Sequence, residues 1–275
     1  MPETETAFVN PDISVIIPTY RRPGQLLEAI RSVTSQKEVT TEILVIDDCP
    51  DGSAAPVVAP LAGAGVRYIR NELPTHGRPA VVRNLGWPLA TGDLVHFLDD
   101  DDIVPSGYYA TARQALQQNP AAGVVFGAIA PFGDVNLKAE QHYFSVATRR
   151  ARQLSWLGPR LGLGAWMYFG PTLLVCSAAI IRRSCIAQLN GFDTTLPLVE
   201  DVDFYARAIH RFGAVVLPDA SIQYRIGPSL MRTPGRDNLI ERSYKIMHSR
   251  YRSEYGPFHF FAAKGFTRLL RILPC

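Results

Sequence analysis

The chain has 275 residues, 47% hydrophobic and 19% charged, a globular composition that excludes disorder over most of its length. No apolar run reaches the roughly 18–20 residues of a membrane-spanning helix. The acidic N-terminus MPETETAFVN lacks the basic-then-apolar layout of a signal peptide, so a soluble cytoplasmic protein is expected. The net charge of +3 hides an uneven distribution: residues 1–134 carry 9 Lys/Arg against 16 Asp/Glu, and residues 225–275 carry 10 against 3.

Ile13–Ile17 is a β-branched run closed by Pro18 and reads as a buried strand. Pro23 then opens a helix with Leu26, Leu27, Ile30 and Val33 at helical spacing. Ile43–Ile46, ending in Asp47-Asp48, and Val66–Ile69 are the next strands. A helix is expected over Pro79–Leu89, a strand over Leu94–Leu98, a helix over Pro105–Gln118 and a strand over Gly123–Gly127. Such alternation argues for a parallel sheet covered on both faces. Residues 131–170 hold Gly158, Gly162, Gly164, Gly170 and the basic run Arg149-Arg150-Arg152, and read as a loop-rich insertion, a candidate lid. Thr172–Cys176 and Ala179–Ile181 are expected as strands, and Leu198–Phe212 as a helix. Ala214–Leu217 and Ser221–Arg225 are expected as short strands, and Asp237–Tyr255 and Phe258–Leu273 as C-terminal helices. Cys49, Cys176, Cys185 and Cys275 show neither CxxC spacing nor paired His, which argues against structural zinc and a disulfide framework.

In open α/β sheets the ligand crevice lies beyond the carboxyl ends of the strands. Three strands end in polar sequence, Thr19-Tyr20-Arg21, Asp47-Asp48 and Asp99–Asp102, so these ends should meet. Four adjacent carboxylates repel one another unless solvated or counter-charged. At a strand end Asp99–Asp102 is therefore a candidate site for Mg²⁺ or Mn²⁺, which take oxygen ligands and substrate phosphates. Asp47-Asp48 either accepts hydrogen bonds from a base or sugar edge or forms a turn before Pro50-Asp51-Gly52. Arg78, Arg83 and Asn84 lie around a helix start, a natural diphosphate site, although Arg83 could equally pair with an acidic strand end. In Glu200-Asp201-Val202-Asp203, helix geometry separates Asp201 from Asp203 by roughly 200°. Asp203 has an i,i+4 partner in Arg207 for a surface ion pair, and the helix dipole alone favours acids in a first turn, so Glu200 and Asp203 read as structural more readily than Asp201 does.

At these residues the chain resembles the family 2 glycosyltransferases of the GT-A fold. The resemblance rests on an ordered set: Ser14–Arg22, Ile46-Asp47-Asp48, Arg83-Asn84-Leu85-Gly86 with Thr91-Gly92-Asp93, Phe97–Asp102 with Pro105, Gly191-Phe192-Asp193, and Glu200-Asp201. It implies a Rossmann-like, mostly parallel central sheet with flanking helices and a C-terminal helical extension. It places the catalytic domain at 1–230, with a nucleotide-sugar half at about 11–128, an acceptor half at 129–230, and the extension at 231–275. It further implies that Pro18, Thr19, Tyr20, Arg22, Asp48, Asp99 and Asp100 bind the donor nucleotide, with Arg78, Arg83 and Asn84 on its diphosphate side. Asp101 and Asp102 are implied as ligands of Mg²⁺ or Mn²⁺, and Asp201 as the general base of an inverting transfer. The donor is then a nucleoside-diphosphate sugar, UDP-sugar favoured, and the acceptor a hydroxyl of a glycan or lipid-linked molecule.

Two positions depart from the family pattern. Tyr224-Arg225-Ile226-Gly227-Pro228 has Gly227 where many relatives carry a metal-site His, and Cys49 replaces a small Gly after Asp48. A catalytically degenerate glycan-binding or scaffold protein of the same fold is the alternative. Gly227 speaks for it, and the intact Asp99, Asp101 and Asp201 speak against it. A sugar-1-phosphate nucleotidyltransferase would need a Gly-rich basic loop after the first strand, which Pro18–Pro23 does not supply. In Phe258–Leu273, Lys264, Arg268 and Arg271 share one face, and Phe261, Gly265, Leu269 and Ile272 lie away from them. Such a helix either rests peripherally on an anionic membrane or packs its apolar face on the core. No nucleic-acid-binding module is present.

Overall fold

The structure, a computed structural model, describes residues 10–75, 77–158, 162–227 and 235–272. Seven strands form one sheet in the order β3-β2-β1-β4-β6-β5-β7. They are β1 (Ile13–Thr19), β2 (Thr41–Asp47), β3 (Val66–Arg70), β4 (Leu94–Phe97), β5 (Val124–Phe132), β6 (Ala179–Arg182) and β7 (Ala214–Arg225). β1 pairs in parallel with β2 on one side and β4 on the other, β2 pairs in parallel with β3, and β5 with β7. β6 runs antiparallel to both β4 and β5, so the sheet is mostly, not wholly, parallel. The β-branched runs of β1, β2 and β4 are buried because helices cover both faces.

The chain leaves β1 toward β2 and β3, then returns to its other side as β4. This reversal opens a crevice at the carboxyl end of β1. Pro18 sits in this central strand without breaking it, because β4 pairs only with Ile13–Ile16 and ends before Pro18 is reached.

The helices are α1 (Pro23–Thr34), α2 (Ala55–Val58), α3 (Pro79–Gly86), α4 (Tyr108–Gln118), α5 (Lys138–Trp156), α6 (Gly164–Phe169), α7 (Arg183–Leu189), α8 (Glu200–Phe212) and α9 (Arg236–Ile272). α9 is broken at Gly256, whose φ is +83°, and Pro257, which matches the two C-terminal helices expected; Leu273 and Cys275 lie outside the described residues.

Several expectations need correcting. Residues 131–170 are not loop-rich: β5 continues to Phe132, and 138–156 and 164–169 are helical. The apolar stripe of α5 is Ala147, Arg150, Ala151 and Leu154, spaced helically but built mostly from small or basic residues that mute the pattern. Thr172–Cys176 forms no strand; Leu173 and Leu174 are buried without a ladder partner. Ala214–Leu217 and Ser221–Arg225 are one strand, with a register shift that takes up Pro218-Asp219-Ala220. α7 was not anticipated. The last helix buries Phe260, Ala263, Thr267 and Leu270 rather than the stripe Phe261, Leu269 and Ile272. Cys49, Cys176 and Cys185 are buried free thiols. No helix among the described residues is long and apolar enough to cross a membrane.

Candidate functional site

The three polar strand ends do meet. Asp48 N donates to the Thr19 carbonyl at 3.0 Å, and Thr19 Oγ1 donates to Asp100 Oδ2 at 2.7 Å. The Asp99–Asp102 turn offsets its own repulsion by spreading its carboxylates over Arg83, Arg22 and the Arg225 backbone, with Asp100 and Asp101 sharing Arg22. Asp99 Oδ1 accepts from Arg83 Nη2 at 2.7 Å. Arg22 Nη1 lies 3.2 Å from Asp100 Oδ1 and 2.7 Å from Asp101 Oδ2. The fully buried Asp102 turns inward, where its Oδ1 accepts from Arg225 N at 2.8 Å. Arg225 Nε also donates to the Asp101 carbonyl at 2.8 Å. Burial pushes the Asp100 carboxyl up to about 6, against the Thr19 hydrogen bond and the Arg22 charge. Burial and the neighbouring Asp99 raise Asp101 and Asp102 as well.

Asp102 Oδ2 is buried and no hydrogen bond of good geometry satisfies it among the described residues, with the Ser177 hydroxyl close by. A lone carboxylate oxygen there, beside the partly exposed Asp101, is an all-oxygen donor pair suited to a hard cation. Among the described residues no group of three or more His, Cys, Asp or Glu side chains is arranged to hold a metal. Two carboxylates completed by diphosphate oxygens and water are nevertheless the usual protein share for Mg²⁺. The residues present fit the ion on those terms.

The Asp47-Asp48 pair divides its labour. Asp47 Oδ1 accepts from Cys49 N at 3.0 Å and Oδ2 from Ala54 N at 2.9 Å, so it holds the turn. Asp48 Oδ1 accepts from Asn71 Nδ2 at 2.7 Å and Thr75 N at 2.9 Å, and its Oδ2 from Thr75 Oγ1 at 2.8 Å. The buried Asp48 therefore fixes the 71–75 loop at the carboxyl end of β2.

The Arg-Asn-x-Gly stretch in α3 has a physical explanation at each position. Arg83 is buried and bridges Asp99 to Glu200 Oε1, 2.7 Å from its Nη1. Its guanidinium also lies over the Phe192 ring, 5.4 Å from the centroid. Asn84 is committed on both ends to the Phe192 backbone, donating to its carbonyl and accepting from its N–H, each at 2.9 Å. That corrects its expected place on the diphosphate: Asn84 positions the Gly191-Phe192-Asp193 turn. A Cβ on Gly86 would meet Ile16 Cγ2 at 2.6 Å, so only glycine lets α3 lie this close to β1. Gly191 has φ +68°, and a Cβ there would meet Asn84 Oδ1 at 2.4 Å. Arg78 is exposed before α3 and donates to the Thr194 carbonyl, away from the Asp turn.

Val199, immediately before α8, adopts φ +54°, a left-handed conformation that a β-branched residue rarely takes. It delivers Glu200 to Arg83 and leaves Asp201 partly exposed, with its Oδ1 accepting from the adjacent Val202 N at 2.8 Å. Burial, then the neighbouring Glu200, push the Asp201 carboxyl up to about 7. Asp203 does pair with Arg207 at 2.9 Å, but the pair is not on the surface: Asp203 is fully buried and also accepts from Arg250 of α9. Arg250 holds Asp193 Oδ2 at 2.6 Å too.

Arg225 and Arg250 are the contributors that sequence reasoning missed. Arg225 stands two residues before Gly227, in the segment already compared with the family, and its position there was the available signal. Arg250 had none, because nothing local in α9 marks it.

Residues 14–189 match the family described as glycosyl transferase family 2. A Mycobacterium tuberculosis protein, MT1568, is 30% identical over 76% of this chain and 65% of its own length. The GalNAc(5)-diNAcBac-PP-undecaprenol beta-1,3-glucosyltransferase of Campylobacter jejuni is 36% identical over 42% of this chain and 38% of its own. The chain thus spans less than two thirds of either relative. The structure resembles S. aureus TarS 1-349 in complex with UDP-GlcNAc, with TM-score 0.65, 18% identity and coverage of 86% of this chain and 66% of that one. It also resembles the mannosyltransferase PcManGT of Pyrobaculum calidifontis in complex with GDP-Man and Mn²⁺, with TM-score 0.59, 18% identity and coverage of 93% and 74%. These likenesses establish the GT-A fold.

Proposed function

The chain belongs to glycosyl transferase family 2, and from that premise we propose that it transfers one sugar from a nucleoside diphosphate, UDP favoured, to a hydroxyl of a glycan or lipid-linked acceptor. The observation that carries this is Arg83. One buried guanidinium joins Asp99 of the donor turn to Glu200, the residue beside Asp201, so both halves of a transferase site share one crevice. A UDP-sugar is supported by the TarS complex, and a lipid-linked acceptor by the name of the Campylobacter relative. Residues 1–230 form the catalytic domain, with 11–128 facing the donor and 129–230 the acceptor, and 231–275 extend it.

Thr19, Tyr20 and the 71–75 loop held by Asp48 line the nucleoside end, and Asp99 faces the ribose. Asp101 and Asp102 would hold Mg²⁺ or Mn²⁺, which when bound stabilises negative charge on the departing diphosphate. Arg22 adds a cation beside the same oxygens. Asp201 orients the acceptor hydroxyl and takes its proton as the oxygen attacks the anomeric carbon. The bond to the diphosphate breaks on the opposite face, so a single displacement inverts the configuration.

Two variants separate the roles. Asp201→Asn should bind a UDP-sugar as wild type does yet lose transfer by roughly a hundred- to ten-thousand-fold. Asp101→Ala should weaken Mn²⁺-dependent donor binding, read by calorimetry with and without the ion. Transfer at wild-type rate by Asp201→Asn would remove it as the base, and equal donor affinity in Asp101→Ala would remove the metal role.

A further inference from the structure

The last half of α9 has two apolar faces, and only one is used. Phe260, Ala263, Thr267 and Leu270 pack inward. On the opposite side Phe258, Phe261, Leu269 and Ile272 are 87%, 60%, 67% and 79% exposed. At 100° per residue these four fall within an arc of about 80° and make one continuous stripe. Lys264, Arg268 and Arg271 flank one edge of it, and residues 255–272 contain no acid.

The helix is locked in this rotation. Arg150 Nη1 of α5 donates to the Leu270 carbonyl at 3.0 Å, and Arg271 donates to the Phe169 carbonyl. The stripe therefore cannot turn inward without breaking bonds at both positions. α5 itself ends on Trp156, 84% exposed, with Arg149 and Arg152 at helical spacing in the two turns before it. Single exposed apolar residues are ordinary, whereas a contiguous patch marks a surface that binds something.

We propose that this stripe docks the protein on an anionic lipid surface, its aromatic and aliphatic side chains entering the headgroup boundary and its cations meeting lipid phosphates. Charge decides the occupant. Another copy of the stripe offers no acidic residue to answer Lys264, Arg268 and Arg271, whereas an anionic bilayer supplies both an apolar layer and negative charge. The proposal stands independently of the donor chemistry.

The test is co-sedimentation of the full chain with phosphatidylcholine vesicles, with and without phosphatidylglycerol. Wild type should sediment with the anionic vesicles and release in high salt. Lys264→Gln/Arg268→Gln should reduce partitioning about thirty-fold, at roughly five-fold per cation. Phe261→Ser/Leu269→Ser should reduce it at least about ten-fold. Both should keep wild-type melting and UDP-sugar binding, which separates this result from failure of the transferase reading. Wild type left in the supernatant with anionic vesicles overturns the proposal, as does wild-type partitioning by both double variants. A wild-type dimer that ignores vesicles and becomes monomeric on Phe261→Ser/Leu269→Ser also overturns it, and assigns the stripe to contact between copies.

Discussion

A carboxylate accepts a proton from a sugar hydroxyl only while it is ionised, and Asp201 sits at that boundary. Burial and the Glu200 charge raise its pKa to about 7, so the acid form grows as the pH falls below 7. Transfer should therefore fall on the acid side with an apparent pKa near 7. Glu200→Gln keeps an oxygen for Arg83 but removes the neighbouring negative charge, so that acid limb should move to lower pH. A pH–rate profile of kcat/KM for the two proteins checks this, and an unmoved limb would count against Asp201 as the titrating base. In the sequence, helix geometry kept Asp201 and Asp203 apart, the Arg207 spacing marked Asp203 as structural, and the family resemblance gave Asp201 the role of base. The partner that buries Asp203 was not legible, since Arg250 is 47 residues away and looks locally like any solvated arginine. Asn84 misled for a related reason: an amide beside a helix start suits a phosphate, and only the fold brings the Phe192 backbone to it.

Among the elements, β4 carries an instructive exception, a fully buried His96 inside an otherwise apolar strand. Its Nε2 lies 2.8 Å from the Ser177 carbonyl, which can only accept, so the proton sits on Nε2 and Nδ1 accepts from Tyr109 OH at 2.8 Å. The ring thereby ties β4 to α4 and to the turn before β6. Burial depresses its pKa from 6.5 to about 4. The unfolded chain takes up this proton first, so the stability His96 contributes is complete above about pH 6.5 and is lost as the pH falls toward 4. The loss amounts to roughly 3 kcal/mol over that window. Urea unfolding of wild type and His96→Asn across the window should show the wild type losing that much more on acidification, and parallel curves would contradict the neutral buried ring. Elements of this kind were legible where the apolar signal was strong. β1, β2 and β4 are β-branched or apolar runs closed by polar turns, and α8 has a wide apolar face. α5 was not, because Ala147, Arg150 and Ala151 make its buried stripe. β7 was read as two pieces because Pro218 interrupts the pattern that the register shift repairs.

Across the whole molecule, the acidic front half and basic tail prove to be coupled through arginines. Arg22 and Arg83 answer the carboxylates of the crevice with their charge, Arg225 reaches Asp102 through its backbone N–H and Glu28 through its guanidinium, and Arg250 reaches from the basic C-terminal helix to Asp193. Arg250 pairs with Asp193 of the Gly-Phe-Asp turn and with Asp203, two residues beyond Asp201 on α8. α9 is thus braced against both elements that frame the proposed base, by a residue that touches neither donor nor acceptor in the arrangement described above. Replacing it with methionine keeps the stem packing and removes both ion pairs. Asp203 retains Arg207 at 2.9 Å, so its buried charge is not wholly abandoned, whereas Asp193 loses its cation and keeps only its bonds to Thr195. Arg250→Met should cost about 2 kcal/mol in urea unfolding, the range for hydrogen bonds to a charged group when one partner remains. Because α8 and the turn can then shift relative to each other, kcat should fall while UDP-sugar affinity, set at the far end of the crevice, stays at the wild-type value. Arg250→Lys restores the charge but not two divergent N–H groups, and should recover only part of the rate. Loss of stability in Arg250→Met with kcat untouched would leave it as an ordinary brace and would sever the C-terminal helix from the chemistry.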